Sequence, residues 1–184
     1  MGGKGGLAER PLAIWDERKE GVALAQERLN AYFGTNALEM AHLGSLSTPS
    51  VVDGIVEFSE VCAAVGMNVS IWDGATSLTA ENGAPMFRRA PRLDSLLFPG
   101  GDGGQLVWPA IENASRVLRQ SHPTAGVWVS AQELSAVGME QFWANVSRAC
   151  ADGWLAGVAY GPHVRVPLTQ FVARATAAGA PVRQ

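Results

Sequence analysis

The chain has 184 residues, of which 47% are apolar and 17% charged, with a formal net charge of −3. That composition belongs to a globular domain with a sizeable core and excludes a disordered chain. The basic residues are scattered rather than gathered in a stripe, which excludes a nucleic-acid surface. No apolar run is long enough for a membrane-spanning helix.

In chain order, residues 1–15 open with MGGKGGLAERP, read as a flexible lead-in. It lacks the apolar core of a signal peptide, so the cytoplasm is the default compartment. One domain is expected over 16–184. Asp16–Phe33 reads as an amphipathic helix closed by Gly34, and Asn36–Met40 as the first strand. Ser50–Val65 sets Val51, Ile55, Phe58, Val61, Cys62 and Val65 at helical spacing behind Pro49. A strand over Asn68–Trp72 precedes a Pro-punctuated connection in which Arg88, Arg89 and Arg92 form a solvated loop face. Next come a strand over Ser95–Phe98 and a helix over Val107–Gln120, with Pro109 in its first turn and His122 as a C-terminal capping group. The pattern repeats with a strand at Gly126–Ser130, a helix at Met139–Cys150, a strand at Gly157–Tyr160 and a helix at Pro167–Ala178. A last strand starts at Pro181. Cys62 and Cys150 fall within apolar helical patterns and read as free thiols. The N-x-S triplets at Asn68, Asn113 and Asn145 lie inside these elements and read as chance.

Strand starts fall about 25–32 residues apart, the length of one strand–helix unit and too long for hairpins. Gly66, Gly126 and Gly179 lie between a helix and the next strand, as short turns require. The expected fold class is α/β, with repeated βα units and parallel strands. A closed (β/α)8 barrel needs eight strands and ~250 residues. The expectation is therefore part of a TIM-type barrel, truncated at the C-terminus, with an open doubly wound sheet as the alternative.

In both architectures ligands bind beyond the carboxyl ends of the strands. The residues that follow each strand are then the candidates: Glu39 and His42, then Asp73, then the loop Pro99-Gly100-Gly101-Asp102-Gly103-Gly104, then Gln132 and Glu133, then Tyr160, His163 and Arg165. Trp72, Trp108 and Trp128 lie near the same rim. Carboxylates beside tryptophans suit a sugar, whose apolar face stacks on a ring while its hydroxyls take directed hydrogen bonds. Four glycines around Asp102 leave the acid unshielded; the alternative is a turn in which Asp102 caps the following helix. Glu133 follows the neighbouring strand, so a barrel brings it near Asp102. Two such carboxylates can act as acid and as nucleophile or base. The Gly-rich loop is not a phosphate loop, since no Gly-Lys-Ser/Thr follows. No G-x-S-x-G elbow and no H-E-x-x-H spacing occurs, so neither a serine nucleophile nor a resident metal is expected, and no cofactor.

The segment Leu93-Asp94-Ser95-Leu96-Leu97-Phe98-Pro99-Gly100-Gly101-Asp102 resembles the strand-plus-Gly-Gly-Asp signature of O-GlcNAcase-type β-N-acetylglucosaminidases. Tyr160-Gly161-Pro162-His163-Val164 resembles the Gly-Pro-x-Val element near the sugar in those enzymes, and α-glucuronidase-like hydrolases use similar barrels. The resemblance covers roughly residues 34–184. It implies a glycosidase of the β-N-acetylhexosaminidase kind, with Asp102 as general acid and a carbohydrate as substrate. Those enzymes carry a carboxylate pair in this loop, whereas here Gly103 follows Asp102. Glu133 is the residue left to supply the second carboxylate. Glu39, Asp73, Trp128, Tyr160, His163 and Arg165 are expected to line the sugar pocket. Two rivals stay open: a carbohydrate-binding module that keeps the scaffold without catalysis, and a metal-dependent hydrolase using His42, His163 and Asp102.

Overall fold

A computed structural model describes residues 37–41, 49–72, 80–100, 106–132, 134, 136–161 and 163–183. The expected helix over Asp16–Phe33 and the lead-in lie outside the described residues. Six strands alternate with five helices: β1 (Ala37–Ala41), α1 (Pro49–Ala64), β2 (Asn68–Trp72), α2 (Ala80–Arg89), β3 (Ser95–Phe98), α3 (Trp108–Ser121), β4 (Gly126–Ser130), α4 (Ala136–Ala151), β5 (Gly157–Ala159), α5 (Leu168–Ala177) and β6 (Val182–Arg183). The strands form one sheet in the order β1-β2-β3-β4-β5-β6, every neighbouring pair parallel.

That order separates the two architectures. A doubly wound sheet reverses direction at a switch point, which sends helices to both faces. Here each strand is followed by its immediate neighbour, and right-handed crossovers in one direction place every helix on one side. The register bears this out. Ile71, Leu96 and Val127 share one row and Phe98, Val129 and Val158 another, all at most 1% exposed. They pack against Ile55, Phe58 and Cys62 of α1, Met86 and Phe87 of α2, Ile111 and Leu118 of α3, Phe142 and Val146 of α4 and Phe171 of α5 in one core. The intervening rows point the other way: Ser70–Ser95–Gly126, Trp72–Leu97–Trp128–Gly157 and Ser130–Ala159–Arg183.

This second face is concave. The Arg183 guanidinium donates from Nη1 to the Ser95 hydroxyl at 3.1 Å and lies 4.9 Å from the centre of the Trp128 ring. Ser95 in turn donates to Ser70 at 2.9 Å. In a flat sheet β3 and β6 would stand ~14 Å apart, beyond the reach of one arginine. Contact across β4 and β5 therefore measures the curl, and the sheet is part of a (β/α)8 barrel rather than an open one.

One expectation needs correction. The connection holding Arg88 and Arg89 is the helix α2, not a solvated loop. Pro85 sits on its exposed side, while Met86 and Phe87 are buried and anchor it to the sheet. The interior proline masks the helical pattern, yet burial of two large side chains outweighs one missing backbone hydrogen bond. Arg88 is exposed, and Arg89 pairs with Asp53 of α1 at 2.6 Å. His122 is the C-cap of α3, its N–H bound to the Leu118 carbonyl, and its ring Nε2 lies 2.8 Å from the Phe87 carbonyl. Gly66 and Gly179 take left-handed φ values of 75° and 72°, as helix-ending glycines do, whereas Gly126 lies inside β4. Neither Cys62 nor Cys150 is in a disulfide, and burial pushes the Cys150 thiol above its ordinary pKa. Among the described residues, no helix is long and apolar enough to cross a membrane.

The amino-terminal ends of the central strands are tied together by Asp94. Its Oδ2 accepts the Val69 N–H at 2.7 Å and the Arg92 Nε at 2.9 Å, while its own N–H donates to the Val69 carbonyl and its carbonyl accepts from Gly126. Asp94→Ala keeps the backbone bonds but strands the Val69 N–H and leaves the Arg92 guanidinium without its carboxylate, held by the Asn68 Oδ1. The expected loss is about 2 kcal/mol in urea unfolding, with the concave face unchanged.

Candidate functional site

The strands all run the same way, so their carboxyl ends and the connections after them gather at one rim. Two backbone features shape this rim around β4. Gly100, just past β3, has φ 68°, and a Cβ there would stand 3.1 Å from the Ser130 carbonyl oxygen. Gly161, just past β5, passes so close that its Cβ would lie 3.1 Å from the Ser130 hydroxyl. Glycine at both places lets the connections on either side close over the end of β4. Ser130 itself is 2% exposed, and its hydroxyl has no hydrogen-bond partner among the described residues.

Below the rim lies Trp128. Cβ atoms on Gly126 and Gly157 would stand 3.1 Å from its Nε1 and 2.7 Å from its Cζ3, so the indole lies across both glycines, with Arg183 over the ring. The two glycines make the space that the indole fills. Trp128 thus forms part of the floor of the concave face, and one side of the ring already carries a guanidinium.

The other candidates separate by position. Asp102, Glu133, Asp73 and His42 lie outside the described residues. Glu39 belongs to β1, where its backbone pairs with Ser70, a row that continues to Ser95. Tyr160 turns to the helix side: its ring packs edge-on against Phe171 at 5.3 Å, and its hydroxyl donates to the Val166 carbonyl at 3.0 Å. That bond pins the connection between β5 and α5. His163 lies exposed in the same connection with a φ of 61°, a left-handed backbone unusual for a residue with a side chain. Arg165 is exposed and lines a cleft of about 450 Å³ with Leu134, Met139, Val166 and Arg174, between α4 and α5. Trp108 also belongs to the helix layer, against Phe142 and Trp154.

The N-cap of α3 is Val107, with no side-chain cap, and Pro109 occupies the first turn. Residues that the sequence reading missed are Arg183 and Ser130. Their signal was register: Ser130, Ala159 and Arg183 form one row on the concave face. Metal ligands do not gather among the described residues in groups of three or more.

No protein-family model matches the sequence, and neither does any curated protein. A solved structure, described as a novel GH10 endoxylanase retrieved from a sugarcane soil metagenome, matches with a TM-score of 0.63 at 13% identity. The match covers 94% of this chain and 63% of that one. At such identity the likeness concerns the fold alone, and this chain shares the barrel scaffold of that structure. It spans less than two thirds of the neighbour's length.

Proposed function

We propose that this chain carries a glycoside hydrolase site at the carboxyl end of its strands and cleaves an O-glycosidic bond. Asp102 is the general acid, and Glu133 is the nucleophile or base. The observation that carries the reading is the register of β3 against β4, in which Phe98 pairs with Val129. Asp102 and Glu133 lie equally far along the chain beyond that pair, in the connections that follow β3 and β4. Adjacent strands stand ~4.8 Å apart, which suits carboxyl separations of roughly 5–5.5 Å for retention or 6.5–9.5 Å for inversion.

In this reading a sugar enters over Trp128 and Arg183, with Glu39, Asp73 and His163 proposed around the same opening, while Arg165 belongs to the cleft between α4 and α5. Tyr160 acts through the loop it pins rather than by touching the sugar. A panel of nitrophenyl glycosides, N-acetylglucosaminide included, tests the proposal. Release of nitrophenol from at least one member is the expected result. Sugar binding without release from any member favours the carbohydrate-binding module, for which the missing carboxylate at Gly103 is the supporting observation.

A further inference from the structure

We propose that Tyr160 is a positioning residue that acts through His163, which it sets at the rim as a hydrogen-bonding group for the ligand. The inference deepens the hydrolase reading and takes from it only the sugar as ligand. One side chain closes the connection from β5 to α5. The Tyr160 N–H donates to the Arg183 carbonyl at 2.9 Å, which ties the start of the connection to β6. Its ring packs on the buried Phe171, and its hydroxyl donates to the Val166 carbonyl at 3.0 Å, six residues on. Within this closed stretch Gly161 lies against the Ser130 hydroxyl, and Val164 is half-buried against the core. His163 lies between these two seated residues.

At φ 61° it is the one non-glycine among the described residues with a left-handed backbone. That conformation is unfavourable for any residue with a Cβ, whereas glycine takes it freely. The imidazole gives the fold nothing in return, since it is exposed and no part of the core. Strain that the surroundings impose on an exposed side chain serves to preset a contact made outside the fold. An imidazole can donate and accept, which matches a sugar hydroxyl. The Tyr160 hydroxyl, turned to the helix layer, reaches the ligand only through the connection it closes.

Kinetics and calorimetry on the whole chain, with the nitrophenyl glycosides of the panel as probes, test this. His163→Gly should raise KM about tenfold with kcat nearly unchanged, or raise Kd as much for a glycoside bound without cleavage. Its melting temperature should hold or rise by ~2 °C as the strain is relieved. His163→Asn tolerates the same backbone and carries an amide, so it should recover most of the loss. Tyr160→Phe keeps the ring on Phe171, lacks the bond to Val166 and should raise KM about threefold. In the His163→Gly background the same change should raise KM no further, because the group it positions is gone.

An unchanged KM in His163→Gly overturns the inference and leaves the hydrolase in place. So do losses that multiply in the double variant, as those of a merely structural tyrosine would. Binding without cleavage, weakened in His163→Gly, keeps the inference and removes the hydrolase. If no glycoside of the panel is bound, both fall.

Discussion

Asp102→Asn is expected to lower turnover of a glycoside with an alcohol leaving group about a thousandfold, with the melting temperature unchanged to within ~2 °C. The amide keeps the size of the acid and loses its proton. Glycines flank the position, so its chain neighbours bring no side chains to pack on it. The leaving group gives the role its signature. A dinitrophenyl group departs as an anion without protonation, so the defect should shrink strongly on that substrate. Glu133→Gln should be impaired on both, because attack at the anomeric carbon or activation of water is still required. Equal losses for Asp102→Asn on both substrates would take the acid role away from Asp102.

Gly157→Ala is expected to cost about 3 kcal/mol and to lower the melting temperature by roughly 10 °C. A Cβ there would meet the Pro181 carbonyl oxygen at 2.4 Å and Trp128 Cζ3 at 2.7 Å. Neither neighbour yields easily. The Pro181 carbonyl accepts the Val158 N–H at 2.9 Å and belongs to the β5–β6 pairing, while the indole is confined between the strand and Arg183. One methyl group therefore presses on both the sheet and the floor of the concave face. Thermal unfolding followed by circular dichroism checks the value. A shift below ~2 °C would mean that the indole does not lie across Gly157.

The strand–helix alternation was legible because each unit repeats the same local chemistry: a short β-rich run, a turn glycine and an amphipathic stripe. Ser95–Phe98 and Gly126–Ser130 emerge with the bounds read from the sequence, since apolar pairs such as Leu96 and Phe98 sit between turn residues. α2 was hidden by Pro85 and by a basic tail that resembles a solvated loop. The site was less legible than the fold. Trp128 was read as a rim residue, yet its position depends on Gly126 and Gly157, one in its own strand and one in the next. Tyr160 stood beside a Gly-Pro turn and looked exposed, whereas strand parity sends it to Phe171. Arg183 was invisible as a functional group, because its partners Ser95 and Trp128 come from β3 and β4, far away along the chain. Long-range register, which a single sequence does not state, decides each of these.

The uninterrupted strand order also bears on how such a chain comes to be folded. Each strand pairs only with its predecessor and its successor, so a unit leaving the ribosome finds its docking surface already made by the previous one. Growth of the sheet can then keep pace with synthesis. The surface most exposed to error at any moment is the newest unpaired strand edge, a template that moves forward until the next unit covers it.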